Sequence, residues 1–265
     1  MKLTMINDAY SFENRVTLCE DMFGKRYIMK ASSIDAMIRE LLADYIATLL
    51  NLNHVNYFRY KKGLLSPDFR KPNTVTKSGR KFISDIPENV IESKRYPGVY
   101  DVELALNFRF IYYQNFEKQK NDMLFNIIDM ILFDLLIVNP DRHTLNWDIF
   151  FDYEQFGLIP IFDNNAAFSD SNCCIFNLFG GIEENENVMR QLLDSKFSDY
   201  ALFRMQEFMN IINPDTIDGI IRNVLVKNGL FFQLGIANEI SKNFKKNYND
   251  IFSALSKSQK SFLLS

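Results

Sequence analysis

One segment of this chain, residues 123–138, is apolar on most of its faces and therefore belongs inside the protein. It is shorter than the roughly 20 residues that a membrane span needs, and Asn126, Asp129 and Asp134 interrupt it. The segment is therefore expected to be a buried helix around which the other elements pack. A polar loop, residues 139–146, leaves this helix.

Hydrophobic patterning along the rest of the chain predicts an α+β fold. Strand-like and helix-like runs alternate in the first quarter, with a turn at Gly24, and helical runs dominate afterwards. The predicted strands are residues 15–18, 26–30, 55–60, 63–65, 147–152 and 158–162, and the predicted helices include residues 33–51, 102–116 and 121–138. Residues 70–100 are the least regular part, and we place the connection between two lobes there. This order predicts a small mixed N-lobe, residues 1–70, and a larger, mainly helical C-lobe, residues 71–265.

Composition excludes several classes of protein. The formal net charge is −3 and no block of Lys or Arg stands out, so direct reading of a nucleic acid is not expected. The cysteines, Cys19, Cys173 and Cys174, are odd in number and two are adjacent, which suits reduced thiols better than a disulfide framework or a zinc site. The N-terminus has no apolar signal region. We therefore expect a cytoplasmic protein without a transmembrane segment.

The polar loop after the buried helix carries the residue types that phosphoryl transfer needs. Asp141 can accept the proton of an attacking hydroxyl, and Asn146, five residues on, can offer an amide oxygen to Mg²⁺. Asp163 ends the second predicted hairpin strand, from where its carboxylate can face the Asp141 loop and bind the same ion. Taken alone, the loop is equally compatible with a polar turn, because Asn, Pro and Asp all favour turns.

A second pair of residues lies upstream. Lys30 ends a predicted strand, and Glu40 lies one to two turns into the helix that follows. A strand Lys held by a helix Glu is the arrangement that aims an ammonium group at nucleotide phosphates in kinase folds.

These residues carry a resemblance to a known family. Residues 134–147, DLLIVNPDRHTLNW, followed by residues 159–163, IPIFD, resemble the catalytic region of HipA-like serine/threonine kinases. The Asp-Arg-His-x-x-Asn pattern is also similar, more distantly, to the catalytic loop of phosphatidylinositol kinases. Residues 62–69, KGLLSPDF, resemble the HipA-like strand that leads into the nucleotide hinge. Together with Lys30 and Glu40, the matches run in family order.

The resemblance implies a bilobal protein-kinase-like fold that binds ATP and Mg²⁺. It implies that Lys30 contacts ATP phosphates with the support of Glu40, that Asp141 is the catalytic aspartate, and that Asn146 and Asp163 hold the metal. His143 would order the catalytic loop. The backbone near Ser66, Asp68 and Phe69 would receive the adenine.

Two departures from the family pattern shape the prediction. Lys30 comes too early in the chain for the extra N-terminal subdomain of full-length HipA toxins, so we expect a minimal kinase core. No glycine precedes Gly24, so residues 8–14 must take the place of a Gly-rich phosphate loop, with Ser11 donating a hydrogen bond to phosphate.

The leading hypothesis is a protein kinase with a Ser or Thr acceptor, of the kind found as a bacterial toxin component with an antitoxin partner. A lipid or small-molecule kinase remains as an alternative, although no basic or amphipathic membrane-facing surface is evident. A nucleotide-binding pseudokinase or interaction module is the second alternative. The missing Gly-rich loop favours it, and the retention of Asp141, Asn146 and Asp163 argues against it.

Overall fold

A computed structural model describes residues 2–6, 16–70, 73–84, 99–143, 145–170, 175–176, 182–183 and 185–262. The strands are β1 (Leu3–Met5), β2 (Val16–Asp21), β3 (Arg26–Ala31), β4 (Phe58–Tyr60), β5 (Gly63–Pro67), β6 (Val75–Ser78), β7 (Asp148–Phe151), β8 (Phe156–Leu158), β9 (Ile175–Phe176) and β10 (Ile182–Glu183). The helices are α1 (Ile34–Leu49), α2 (Gly79–Ser84), α3 (Val99–Phe110), α4 (Phe116–Ile137), α5 (Asn185–Leu193), α6 (Ser198–Ile211), α7 (Ile217–Lys227) and α8 (Leu234–Phe262).

The N-terminal part is a five-stranded antiparallel sheet in the order β1-β2-β3-β5-β4, and α1 leaves it directly after β3. Gly24 has φ of 80°, as the predicted turn requires, because glycine reaches positive φ without a Cβ clash. The Ser33 hydroxyl accepts a hydrogen bond from the backbone N–H of Ala36 and caps α1. The sheet and its helix thus deliver both Lys30 and Glu40 to one edge of the N-terminal part.

The central helix of the C-terminal part is α4, and the prediction of a buried helix is confirmed. Its second half is almost entirely buried, and it packs against α3, α6, α8 and the β7–β8 hairpin. Residues of α1 belong to the same hydrophobic cluster as those of α4. The order of a sheet-rich N-terminal part and a helical C-terminal part confirms the α+β prediction.

The prediction for the second strand of the β7–β8 hairpin, residues 158–162, is wrong about where that strand ends. The strand β8 ends at Leu158, and Pro160 in the next stretch has no N–H to offer a ladder. Instead, the N–H of Ile161 donates to the carbonyl of Asn53, and the N–H of Val55 donates to the carbonyl of Ile161. Asp163 therefore lies in a loop that crosses to the N-terminal part, and not at the tip of a hairpin.

Residues 75–84, within the stretch predicted to be irregular, form β6 and α2. The strand β6 pairs with β7, and Gly79 begins α2 directly over Trp147, where an added Cβ would lie 2.1 Å from the indole ring. This order comes from pairing with a distant strand, which local breakers cannot indicate. Within the described residues, no helix combines the length and the apolar run that a membrane crossing demands.

Candidate active site

Lys30 of β3 reaches both Glu40 of α1 and Asp163 of the crossing loop. Its ammonium donates to the Glu40 carboxylate over 3.1 Å and contacts the Asp163 carboxylate. Burial disfavours the charged form of Lys30, but Glu40 and Asp163 outweigh it and raise the pKa of Lys30. The amine of Lys30 therefore stays protonated between the two carboxylates.

Glu40 joins this lysine to the Asp163 loop. Its side chain is fully buried, and its second oxygen accepts the backbone N–H of Asn164 over 2.8 Å. Burial raises the pKa of Glu40, while the charge of Lys30 and the Asn164 hydrogen bond act in the opposite direction. One carboxylate thus fixes the strand that carries Lys30 relative to the loop that carries Asp163.

Asp163 has an unusual backbone. Its φ is 58°, in the left-handed region that non-glycine residues seldom adopt, and the Asn165 amide donates to its carboxylate over 2.8 Å. Val138 (φ 50°) and Phe168 (φ 61°) share this region, and the Phe168 N–H donates to the Ile137 carbonyl. Such strain concentrates at functional sites. Here it occurs at Val138, directly before the Asp141 loop, at Asp163 itself and at Phe168, five residues further on.

Arg142 holds the Asp141 loop against the core. It is 2% exposed, and its guanidinium forks onto Asp134 of α4 at 2.8 and 3.1 Å. It also donates to the carbonyls of Asn146 (2.7 Å) and Phe162 (2.5 Å) and to the side chain of Asn164. The charge of Asp134 outweighs burial and raises the pKa of Arg142. One side chain therefore ties the Asp141 loop to the Asp163 loop.

Asp141, His143 and Asn146 form a small cluster at the open side of this loop. The Asn146 amide nitrogen donates to the Asp141 carbonyl at 2.6 Å, so the amide oxygen takes no part in this contact. The His143 ring accepts the Leu145 N–H at 3.1 Å, and its other nitrogen lies 3.7 Å from the Asp141 carboxylate. Burial raises the pKa of Asp141, His143 opposes this, and the charge of Asp163 adds to it. The two loops thus bring Asp141 and Asp163 within electrostatic reach of each other.

The predicted hinge lies at the end of β5. Ser66 pairs with Ile28 of β3 and is fully buried, and its hydroxyl has no hydrogen-bond partner among the described residues. The Asp68 N–H donates to the Arg26 carbonyl. Partial burial favours the neutral form of Asp68, but the two-pronged contact with Arg70 prevails and lowers the pKa of Asp68.

Phe69 stacks on Phe162, with ring centroids 6.0 Å apart, beside Asp163. The Asp68 N–H and carboxylate, in the predicted adenine-binding segment, are therefore already engaged by Arg26 and Arg70.

Solved structures provide a comparison for the whole arrangement. The Helicobacter pylori proinflammatory kinase CtkA aligns with a TM-score of 0.68, covering 98% of this chain and 96% of that chain at 14% identity. The Shewanella oneidensis HipA–HipB toxin–antitoxin system, solved with its operator DNA, aligns with a TM-score of 0.58, covering 96% of this chain and 69% of that chain at 12% identity. No family model and no curated protein sequence matches.

The chain has a HipA-like kinase fold. At these identities the likeness establishes the fold alone, so the roles of individual residues must come from the geometry. Within this kinase-like fold, Lys30 contacts both Glu40 and Asp163, and Asp141, His143 and Asn146 form a second cluster. Ser11, the predicted phosphate contact, lies outside the described residues.

The residues of the kinase-like fold fit a magnesium ion. The described residues contain no cluster of three or more His, Cys, Asp and Glu side chains that could cage a metal. Mg²⁺ does not need such a cage, because it is commonly held by one or two carboxylates together with water and substrate phosphates. The Asp163 carboxylate and the Asn146 amide oxygen are hard donors of this kind, on the two loops that Arg142 joins.

Sequence reasoning missed the residues that hold the site together. Asn164 and Asn139 are buried beside the Arg142–Asp134 pair, and Arg39 of α1 donates to the Ala167 carbonyl at 2.8 Å. A signal was available for Arg142, because an Asp buried on an apolar helix requires a cationic or hydrogen-bonding partner.

Proposed function

We propose that this chain is an ATP- and Mg²⁺-dependent phosphotransferase that transfers a phosphoryl group to a Ser or Thr hydroxyl of a protein. The observation that carries the proposal is the contact of Lys30 with Glu40 and Asp163, facing the Asp141 loop within a kinase-like fold. Phosphoryl transfer depends mainly on positioning and charge neutralisation, and this arrangement supports both.

Lys30 is proposed to bind the phosphates of ATP. Glu40 is fully buried and tied to the Asn164 N–H, so it can hold the lysine in place when the contact with Asp163 is exchanged for a phosphate oxygen. The raised pKa of Lys30 keeps the amine protonated, as this role requires.

Asp141 is proposed to accept the proton of the attacking hydroxyl, a role favoured by partial burial, which raises the pKa of its carboxyl and makes it a stronger base. His143 is proposed to order the loop through its contact with the Leu145 N–H. Asn146 and Asp163 are proposed to hold Mg²⁺, which when bound would neutralise charge on the transferred group.

The phosphate acceptor and the protein partner are proposed by analogy with solved structures that share the fold. The Helicobacter pylori protein is named a kinase, and the Shewanella oneidensis structure is that of a toxin–antitoxin system. On this basis we propose a protein acceptor, an antitoxin-type protein partner and a cytoplasmic location for this chain.

The test is transfer of labelled phosphate from Mg²⁺-ATP to the chain itself or to added protein. Asp141→Ala should reduce transfer by about 10²–10⁴-fold, the usual contribution of a general base. Asp163→Ala should abolish the Mg²⁺-dependent part of the thermal stabilisation by ATP. Asp199→Ala, at an exposed position on α6, is the matched control and should retain full transfer.

Three results would contradict this proposal in different ways. Failure to bind Mg²⁺-ATP would remove the nucleotide site itself. ATP binding without any transfer would indicate a pseudokinase. Transfer to lipid vesicles but to no protein would replace the protein acceptor with a lipid hydroxyl.

A further inference from the structure

We propose that the groove between α7 and α8 docks an acidic, amphipathic helix of a partner protein. This α7–α8 groove encloses about 570 Å³ and is formed on its apolar side by Ile221, Leu225, Val226, Phe231, Leu234 and Ala237. It lies outside the candidate active site, and the proposal does not depend on phosphoryl transfer.

Apolar side chains are left uncovered along this groove. Val226, Phe231 and Leu234 are 61%, 51% and 64% exposed. Contiguous exposed apolar surface of this kind usually marks an interaction site. We infer that a partner side chain covers it in the bound state.

The link between the two helices holds this surface in a fixed position. The Leu230 N–H donates to the Leu225 carbonyl at 2.8 Å, and Arg59 of β4 donates to the Asn228 carbonyl at 2.7 Å. The rings of Phe231 and Phe232 contact each other, with centroids 4.2 Å apart. Because the backbone of the link is anchored from two sides, little backbone ordering entropy is lost on binding.

The charges beside the apolar surface select an acidic partner. Arg222, Lys242 and Lys245 line the groove together with a single carboxylate, Asp218, which accepts hydrogen bonds from Lys245 and Ser241 at 2.6 Å each. Three cations and one carboxylate leave a local charge of +2, whereas the whole chain carries −3. Complementary charge favours the correct partner and repels basic ones.

The shape of the groove favours a helix over a lipid surface. Its base, including Ile221 and Leu225, is buried, and two helices form its walls. A concave apolar channel with polar edges accepts side chains spaced i, i+3, i+4 and i+7 on one face of a helix. A membrane-binding surface would instead present its apolar side chains on a projecting face.

The groove also lies behind the elements that hold the candidate active site. α7 packs against α1, which carries Glu40. Another face of α8 donates from Asn243 to the Phe168 carbonyl at 3.0 Å, and Glu239 pairs with Arg39 of α1 at 2.8 Å. A helix docked in the groove would therefore touch both supporting helices and leave the Lys30–Asp163 contact uncovered.

The test uses the full chain and a fluorescently labelled peptide that has Leu at i, i+3, i+4 and i+7 with Glu at the flanking positions. A matched peptide carries Lys in place of each Glu. By fluorescence anisotropy we expect saturable binding of the acidic peptide, at least about tenfold tighter than that of the basic peptide. Leu234→Asp should abolish binding, and the double variant Arg222→Glu, Lys242→Glu should reverse the preference between the peptides.

Phe203→Asp is the control, since Phe203 is 65% exposed on α6, away from the groove, and its replacement should leave binding unchanged. Circular dichroism establishes that each variant is folded. Equal affinity for both peptides, or unchanged binding by Leu234→Asp, overturns the proposal. Two other results also overturn the proposal. If the chain self-associates in sedimentation and Leu234→Asp abolishes this, the groove binds a second copy of the chain. If phosphatidylserine vesicles displace the peptide and Leu234→Asp abolishes vesicle binding, the groove binds a membrane.

Discussion

Arg142 is a buried cation whose guanidinium donates five hydrogen bonds, two of them to Asp134 of α4. Arg142→Ala would leave the buried Asp134 carboxylate without its guanidinium, and breaking such a pair costs about 3–5 kcal/mol. We expect the free energy of unfolding, measured in urea, to fall by about that amount. Arg142→Lys should recover only part of it, because an ammonium group cannot fork onto a carboxylate.

The matched control for this pair is Lys196→Ala. Lys196 pairs with Glu103 at 2.6 Å, but its side chain is 51% exposed, and solvent-exposed pairs contribute at most about 1 kcal/mol. A cost for Arg142→Ala no greater than that for Lys196→Ala would show that the buried pair does not hold the two loops.

At the scale of residues, the sequence indicates candidate site residues more readily than the side chains that hold their loops together. The spacing of Asp141 and Asn146 and the order of Lys30 and Glu40 can be read directly, because they follow from local elements. The side chains that join the loops cannot be read in this way. Arg142 meets Asn164 only after α4 and the crossing chain have packed.

At the scale of elements, the pairing of β3 with β5 sets the position of Lys30. Gly63 of β5 lies so close to β3 that an added Cβ would be 2.5 Å from the Lys30 carbonyl oxygen, a backbone atom that cannot move alone. We expect Gly63→Ala to separate the strands, lowering the free energy of unfolding by about 1–3 kcal/mol and weakening Mg²⁺-ATP binding.

Gly219→Ala is the control for this substitution. Gly219 lies within α7 with nothing within 4 Å of an added Cβ, so alanine should stabilise the protein by about 0.5–1 kcal/mol through helix propensity. Urea denaturation measures both variants. Equal stability of the two alanine variants would mean that the β3–β5 contact tolerates a side chain.

The stability of the contact between the Asp163 loop and the chain that follows α1 should depend on pH. His54 forms a parallel bridge with Ile161, and its ring contacts the Leu52 carbonyl at 2.8 Å and Asp44 at 3.3 Å. Burial disfavours the charged ring, but the contacts with Asp44 and Leu52 outweigh it and raise the pKa of His54. Protonated His54 therefore stabilises the fold below its unfolded pKa of about 6.5, and this stabilisation is lost as pH rises through the folded pKa.

We therefore expect the difference in the free energy of unfolding between wild type and His54→Gln to be largest below about pH 6.5 and to shrink above it. Urea titrations across this range measure the difference. A difference that does not change with pH would contradict the assignment.

Most element types could be predicted from the sequence, but β6, α2 and several element ends and strand partners could not. Helix α4 was evident because its apolar run has one possible environment, the interior. The stretch 159–162 was read as a strand from its apolar residues, yet its partner is the chain after α1. The β6–β7 pairing spans some 70 residues of sequence, and local patterns carry no information about such contacts.

At the scale of the whole molecule, the hydrophobic core argues for a single cooperative unit. Residues of α1, such as Leu42, belong to the same buried cluster as Ile128 of α4, although the sequence places them in different lobes. Differential scanning calorimetry should therefore show one transition, with equal calorimetric and van't Hoff enthalpies. Leu42→Ala and Ile128→Ala should each cost about 2–5 kcal/mol and shift that same transition. If Leu42→Ala instead splits off a low-temperature transition, the sheet-rich part unfolds independently, because only a separate core can lose stability without affecting its neighbour.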